Sequence, residues 1–238
     1  MLEAFGLTDP GCLRPNNEDY FINDSARGVF ILADGMGGAN AGEYASRIGS
    51  ETLYEYLVAS SNNNTLDGLQ QGFIQANSAV KRASVEQPGF DGMGTTLVAA
   101  RMIDSAQLQL ASVGDSRAYF LSSDGLRALT TDHTWVAEVG SRLGMSEEAL
   151  RKHPMRHVLT MAIGVSEDVR VDLQVVNVRS GDQILLCSDG LHGVVDENTL
   201  ISILKTEKSL PEKAHYLIEA AKEKGGPDNV TVVLIRIL

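Results

Sequence analysis

Apolar residues in this chain fall into two rhythms. One is a set of short, near-continuous runs: YFIN from Tyr20, VFILAD from Val29, TTLVAARMI from Thr95, LQLASVG from Leu108, RAYFLS from Arg117, VDLQVVNV from Val171, QILLCSD from Gln183 and VTVVLIRI from Val230. Their lengths, their β-branched and aromatic content and the Gly, Asp and Ser residues between them predict strands. The other rhythm has steps of three and four. It predicts a helix from Asn40, with Glu43 completing a capping box and Ala41, Tyr44, Ala45, Ile48 and Leu53 on its apolar face. A second helix starts at Thr65 and carries Leu66, Leu69, Phe73, Ala76, Val80 and Ala83, after a loop of SSNNN. A third is announced by Ser209 and Glu212, runs through Ala214, Leu217, Ile218 and Ala221, and stops at Gly225-Gly226-Pro227.

Between residues 95 and 130 consecutive strands are joined by only a few residues, so they are expected to form antiparallel hairpins, since a parallel crossover needs a dozen or more. Strands this apolar cannot turn one face to water. Two packed sheets flanked by the helices satisfy their burial, an α+β arrangement. No repeat, Pro-rich linker or low-complexity tract divides residues 1–238, which read as one domain. Residues 131–161 stand apart with a weaker pattern. From 141 to 159 they hold Arg142, Arg151, Lys152 and Arg156 against Glu147 and Glu148. That basic excess suits a mobile flap beside a site for anionic substrates as well as it suits a solvated helical face.

Composition narrows the function classes. A chain of 238 residues with 43% hydrophobic content can bury a sizeable core. Its 20 basic and 31 acidic residues leave a net charge of −11, which argues against a nucleic-acid partner. Cys12 and Cys187 form no disulfide framework or zinc-ligand spacing, and the five histidines show no metal-ligand pattern. No signal pattern or membrane-spanning apolar run is present, so a cytoplasmic protein without a membrane partner is expected, and a monomer.

The acidic residues carry the chemistry. FILADG ends in Asp34, LASVGDSR holds Asp115 and ILLCSDG holds Asp189, each an acid following an apolar strand; GGPDN places Asp228, and NNED places Glu18 and Asp19, just before a strand. In an antiparallel sheet, strands arriving at an edge bring their last residue there and departing strands their first, so all of these carboxylates can share one end. A single Asp-Gly is ordinary turn chemistry. The repetition is not. Clustered carboxylates away from water require neutralisation, and an all-oxygen donor set favours the hard cations Mg²⁺ or Mn²⁺.

RPNNED, ADGMGG, GMGTT, VGDSRAY, LLCSDG and GGPDNVTVV, in this order and nearly end to end, resemble the metal-dependent serine/threonine protein phosphatases, the PPM or type 2C family, in their compact bacterial form. The resemblance implies an α-β-β-α sandwich with a binuclear centre at one end. A metal-bridging water or hydroxide would attack phosphoserine or phosphothreonine directly, with no covalent enzyme intermediate. It further implies that Asp34 bridges both metals, that the Gly35 carbonyl binds one, and that Asp189 and Asp228 bind the other. Glu18 and Asp19 would lie beside the metals, partly through water. Asp115 would help hold a third, weaker ion, and Arg14 would grip the phosphate. Residues 131–161 match the family's variable flap, and the implied partners are phosphoproteins made by a Ser/Thr kinase.

Two positions depart from the family pattern. Met36 stands where eukaryotic relatives carry a histidine considered as general acid, and Ala39 where some bacterial relatives carry one. His133 and His157, in the flap, read better as structural residues than as substitutes. No other phosphatase chemistry is spelled out, because Gly193 rather than Arg follows Cys187 by six residues and no Asp-x-Asp occurs. Two competing readings remain. A non-catalytic phosphopeptide-binding module on the same fold would require a degraded acid set. A nucleotide loop at GMGGANAG would need glycine at Asn40, or a following GK[ST].

Overall fold

Among the described residues of a computed structural model (1–37, 41–59, 65–140, 142–146, 149–150 and 153–238), the strands form two antiparallel sheets. They are β1 (Leu2–Asp9), β2 (Asp19–Asp24), β3 (Val29–Met36), β4 (Gly94–Thr95), β5 (Leu97–Met102), β6 (Gln107–Val113), β7 (Arg117–Ser122), β8 (Gly125–Ala128), β9 (Asp172–Asn177), β10 (Gln183–Cys187) and β11 (Val230–Ile237). One sheet has the order β2-β3-β5-β6-β9, with the short β4 pairing on β3; the other has the order β1-β11-β10-β7-β8. Helices α1 (Ala41–Ala59) and α2 (Leu66–Glu86) cover the first sheet, and α3 (Asp189–His192), α4 (Glu197–Leu204) and α5 (Leu210–Glu223) cover the second.

The continuous apolar runs are explained by this layering. Along β3, Val29, Ile31 and Ala33 pack toward α1 and α2, while Phe30 and Leu32 face the opposite sheet. Along β11, Val233, Ile235 and Ile237 meet them in the middle, while Val230, Val232 and Leu234 pack against the other helices. Each fully buried Val, Leu, Ile or Phe contributes roughly 1.5–3 kcal/mol. Central strands buried on both faces therefore have no polar alternation to show.

The helix starts follow local chemistry. Thr65 accepts from the Gly68 N–H at 2.9 Å and opens α2. The Glu212 carboxylate accepts from the Ser209 N–H at 3.0 Å and from its hydroxyl at 2.7 Å, closing the expected capping box of α5. Asn40, the expected cap of α1, and the loop 60–64 lie outside the described residues. The buried face of α1 is lined by small residues, Gly42, Ser46, Gly49 and Ser50 among them, while Tyr44 faces outward and stacks near Phe90.

Several features differ from the sequence reading. β1 was not anticipated: its half-buried residues and Gly6 blur the pattern, and Gly6 is needed because the Phe21 ring occupies the space a Cβ would fill. The short α4, capped by Asp196 accepting from the Thr199 N–H at 3.1 Å, was also missed. Another is the link from β6 to β7. β5 with β6 is a hairpin as expected, and β7 pairs with β8, a short strand the sequence pattern does not show, but β6 and β7 belong to different sheets. The four steps from Val113 to Arg117 can span about 13 Å, enough to cross the ~10 Å between packed sheets. The crossing carries Asp115.

Candidate metal centre

The strands deliver acids to one end of the sandwich from both sheets. β2 begins at Asp19, which lies opposite Asp34 in the ladder with β3. In the other sheet β10 ends at Cys187, just before Asp189, and pairs with β11, which begins just after Asp228 and Asn229. Asp115 arrives on the link between the sheets.

Asp34, Asp19 and Glu18 are held by contacts from distant segments. The Asp34 N–H donates to Thr96 Oγ1 at 2.9 Å, and its carbonyl accepts from the Thr96 N–H and the Thr95 hydroxyl, both at 2.9 Å. Thr96 in turn shares a 2.7 Å hydroxyl contact with Ser116, beside Asp115. Ser188 donates to Asp19 Oδ2 at 2.8 Å. Asn229 ties the Arg14 loop to β11: its Oδ1 accepts from the Glu18 N–H at 2.8 Å, and its Nδ2 donates to the carbonyls of Pro10 and Asn16. Gly35 donates its N–H to the Glu18 carbonyl at 3.1 Å, and a Cβ there would strike the Gly42 carbonyl at 2.0 Å. α1 can approach the end of β3 only because both positions are glycine.

The electrostatics are those of like charges forced together. Burial, followed by repulsion from Asp19, Asp189, Asp115 and Asp228, pushes Asp34 well above the ordinary carboxylate range. Burial lifts Asp19 to about 7 despite the Ser188 and Thr231 hydroxyls, and lifts Asp115 to about 8 with help from Asp189. Asp189 is raised by burial and by Asp228, and Glu18 mainly by burial. Asp19 Oδ1 is buried with no hydrogen-bond partner.

Among the described residues no three His, Cys, Asp or Glu side chains are arranged so as to hold a metal ion by themselves. The arrangement nevertheless fits hard divalent cations: the donors are oxygens, they repel one another, and a buried carboxylate oxygen is left unsatisfied. Any cation placed among them, directly or through its hydration water, offsets all three at once.

Arg14 lies at the rim. One of its terminal nitrogens contacts Asp228 at 2.7 Å while the side chain stays 53% exposed, so part of the guanidinium fork faces outward. That contact is the first cause of its raised pKa. Met36 packs over Gly94 and has no proton to donate; Ala39 lies outside the described residues, as do Glu147, Glu148, Arg151 and Lys152.

The two histidines of residues 131–161 singled out in the sequence separate. His133 is buried, with Nδ1 accepting from the Gly114 N–H at 3.2 Å and Nε2 at 3.1 Å from Asp172, which makes it a structural anchor. It sits in a neck where Thr134 bridges Leu159 and the Trp135 N–H meets the Val158 carbonyl at 2.8 Å. His157, just beyond the neck, is exposed and brings Nδ1 to 3.8 Å from Asp189.

Several supporting residues carried no signal in the sequence reading. His192, at the end of α3, donates from Nε2 to the Asp115 carbonyl at 2.9 Å. Burial, with Arg117 nearby, pushes this imidazole down to about 4, so it is neutral and its donor nitrogen is set by the carbonyl it meets. Arg117 grips Asp132 through two nitrogens at 2.8 and 2.6 Å. Cys187 is buried, and burial pushes its thiol up to about 12, removing it as a nucleophile.

Comparison with known proteins agrees with this geometry. The protein phosphatase 2C family model matches residues 15–228. The chain is 40% identical over 235 residues to the serine/threonine phosphatase stp of Listeria innocua, covering 96% of this chain and 93% of that one. The Mycobacterium tuberculosis serine/threonine phosphatase PstP/Ppp superposes with a TM-score of 0.91 at 35% identity, covering 99% and 98% of the two chains. A PstP catalytic domain in complex with two manganese ions superposes at 0.89 with 34% identity, over 100% and 98%. With its two antiparallel sheets between helical layers and a matching family model over most of its length, the chain belongs to the protein phosphatase 2C family, the metal-dependent serine/threonine protein phosphatases in their compact bacterial form.

Proposed function

We propose that the chain removes phosphate from phosphoserine and phosphothreonine in cytoplasmic phosphoproteins, as a single catalytic domain acting as a monomer, with a flap at 131–161. The observation that carries the mechanism is the convergence of Asp34 and Asp19 from one sheet with Asp189 and Asp228 from the other. In this reading Asp34 would serve both ions, the Gly35 carbonyl one of them, and Asp189 and Asp228 the other; the repulsion Asp34 feels from Asp19, Asp189, Asp115 and Asp228 supports that role. Glu18 and Asp19 hold hydration water. Held by these residues, Mg²⁺ or Mn²⁺ would supply an activated water and would offset charge on the phosphoryl group.

The chain's own groups do the rest. Arg14 presents its outward nitrogens to the phosphate and orients it, and the Asp228 contact at 2.7 Å keeps the guanidinium at the rim. No side chain is needed as nucleophile, and the only buried thiol, Cys187, is inert. Asp115 holds a third, weaker ion. A non-catalytic phosphopeptide module would not need these acids, whose mutual repulsion is costly without cations.

Hydrolysis of a phosphothreonine peptide by the dialysed protein, with and without added Mn²⁺, tests the reading. Turnover is expected only with the cation and should vanish in EDTA. Full turnover in EDTA would overturn it.

A further inference from the structure

The Asp115 link is pinned at three successive residues by three different parts of the fold. Gly114, at φ +99°, exchanges two hydrogen bonds with His133 at the flap neck: its N–H donates to Nδ1, and its carbonyl accepts from the His133 N–H at 2.9 Å. Ser116 shares its hydroxyl contact with Thr96, which also takes the Asp34 N–H. Between them the Asp115 carbonyl is held by His192 alone among the contacts described, at 2.9 Å. α3 is a single turn: Asp189 is its first residue and His192 its last, and the Gly193 N–H closes onto the Asp189 carbonyl at 2.7 Å. The imidazole is therefore rigidly related to Asp189, and through its N–H it relates Asp189 to Asp115.

We propose that His192 is a positioning residue that fixes the Asp115 carboxylate relative to Asp189 and thereby sets the affinity of the weaker, third cation. The inference rests on the assignment of Asp115 to that ion. A cation with few protein ligands gains little from each of them, so its affinity depends on the carboxylate being in place beforehand rather than being ordered on binding. A glycine-containing link released from its middle anchor must pay that ordering when the ion arrives. The tight pair, built on Asp34, Asp189 and Asp228, has no hydrogen bond to His192 and is not affected in the same way.

The test is a calorimetric Mn²⁺ titration of wild type, His192→Phe, His192→Gln and Asp115→Asn, with thermal midpoints measured in EDTA. Phe keeps the ring volume and removes the donor; Gln places an amide N–H near the position of Nε2. Both tight steps should be retained in all four proteins. The weak step should be about tenfold weaker in His192→Phe, within twofold of wild type in His192→Gln, and absent in Asp115→Asn. A wild-type weak step in His192→Phe overturns the proposal, as does an equal loss in the Gln variant, which would mean packing, or loss of the tight steps in His192→Phe. If Asp115→Asn keeps the weak step, the assignment of Asp115 fails and the inference with it; if only His192→Phe keeps it, the assignment stands and the inference alone fails. Should the Phe variant not fold, His192→Asn, whose amide falls short of the carbonyl, replaces it with the same expectations.

Discussion

Asp19 and Asp24 stand at opposite ends of the same strand, β2, each opposite a residue of β3. Asp24 sits in turn chemistry: the Tyr54 hydroxyl donates to it at 2.7 Å, Arg27 contributes a side-chain contact at 2.9 Å and its backbone N–H at 3.0 Å, and the carboxyl is drawn down to about 2. Asp19 is buried among other acids, is lifted to about 7, and keeps one oxygen with no partner. The residue type, the strand and the strand-end position are the same. What differs is whether the fold supplies donors. Asp24 has a donor for each oxygen, whereas Asp19 has the Ser188 hydroxyl on Oδ2 and nothing on Oδ1.

The contrast is broken most severely at Asp34, where repulsion is greatest. Asp34→Asn should abolish tight binding of both ions and lower turnover at least about a thousandfold, because a charge shared by two cations is lost. In EDTA the same variant should melt slightly higher than wild type, by the equivalent of about 1 kcal/mol, since one of the mutually repelling groups is gone. Calorimetric titration and thermal denaturation read both. A lower midpoint in EDTA would mean that the acid end is not electrostatically frustrated.

Arg14→Ala comes next. It should raise KM roughly ten- to a hundredfold on phosphopeptides and leave the tight metal steps in place, because a charge-assisted contact to phosphate is removed while every acid remains. Unchanged steady-state kinetics would take Arg14 out of the site. Arg142→Ala and Arg156→Ala together should lower activity on phosphoproteins about two- to fivefold and leave p-nitrophenyl phosphate hydrolysis unchanged, since both arginines are exposed on the flap segment. Equal loss on the two substrates would make them structural.

At the opposite end, Asp24→Asn should leave turnover unchanged and cost about 1–2 kcal/mol at neutral pH, roughly 2–8 °C in a chain of this size. The sign of its pH dependence follows from the direction of the shift. The folded-state pKa, about 2, lies below the ordinary value of 3.8, so the stabilisation is complete above pH ~4 and is lost as pH falls toward 2. The stability gap between wild type and variant should therefore close over that window in urea titrations. A gap that persists at pH 2 would mean that Asp24 acts through packing rather than charge.

The layered fold was legible because strands buried on both faces leave continuous runs, and VFILAD and VTVVLIRI are nothing else. The acids were legible because each ends or begins such a run. β1 was not, since its Gly6 and half-buried residues resemble a loop until the Phe21 ring is seen lying over the glycine. The hairpin expectation failed between β6 and β7 because chain length limits reach, not which sheet the next strand joins. Thr96, Ser188, Asn229 and His192 could not be read as supports. Their partners lie far away along the chain, Asn229 holding Glu18 across 211 positions and His192 holding Asp115 across 77, and only the folded chain makes them neighbours.

The middle apolar layer has one further consequence. Asp34 is rooted in one sheet and Asp189 and Asp228 in the other, so the gap between the two halves of the acid cluster is set by the thickness of the side chains between the sheets. Phe30, Leu32, Leu186 and Val233 act as a gauge block for a distance they never touch. Thinning that block at Leu32 is expected to shift the spacing of charges at the rim, and with it the relative affinity for cations of different radius. The same loss at Leu217, in an outer layer, is felt as stability alone. The interior of the sandwich thereby sets how far apart the charges at its edge stand.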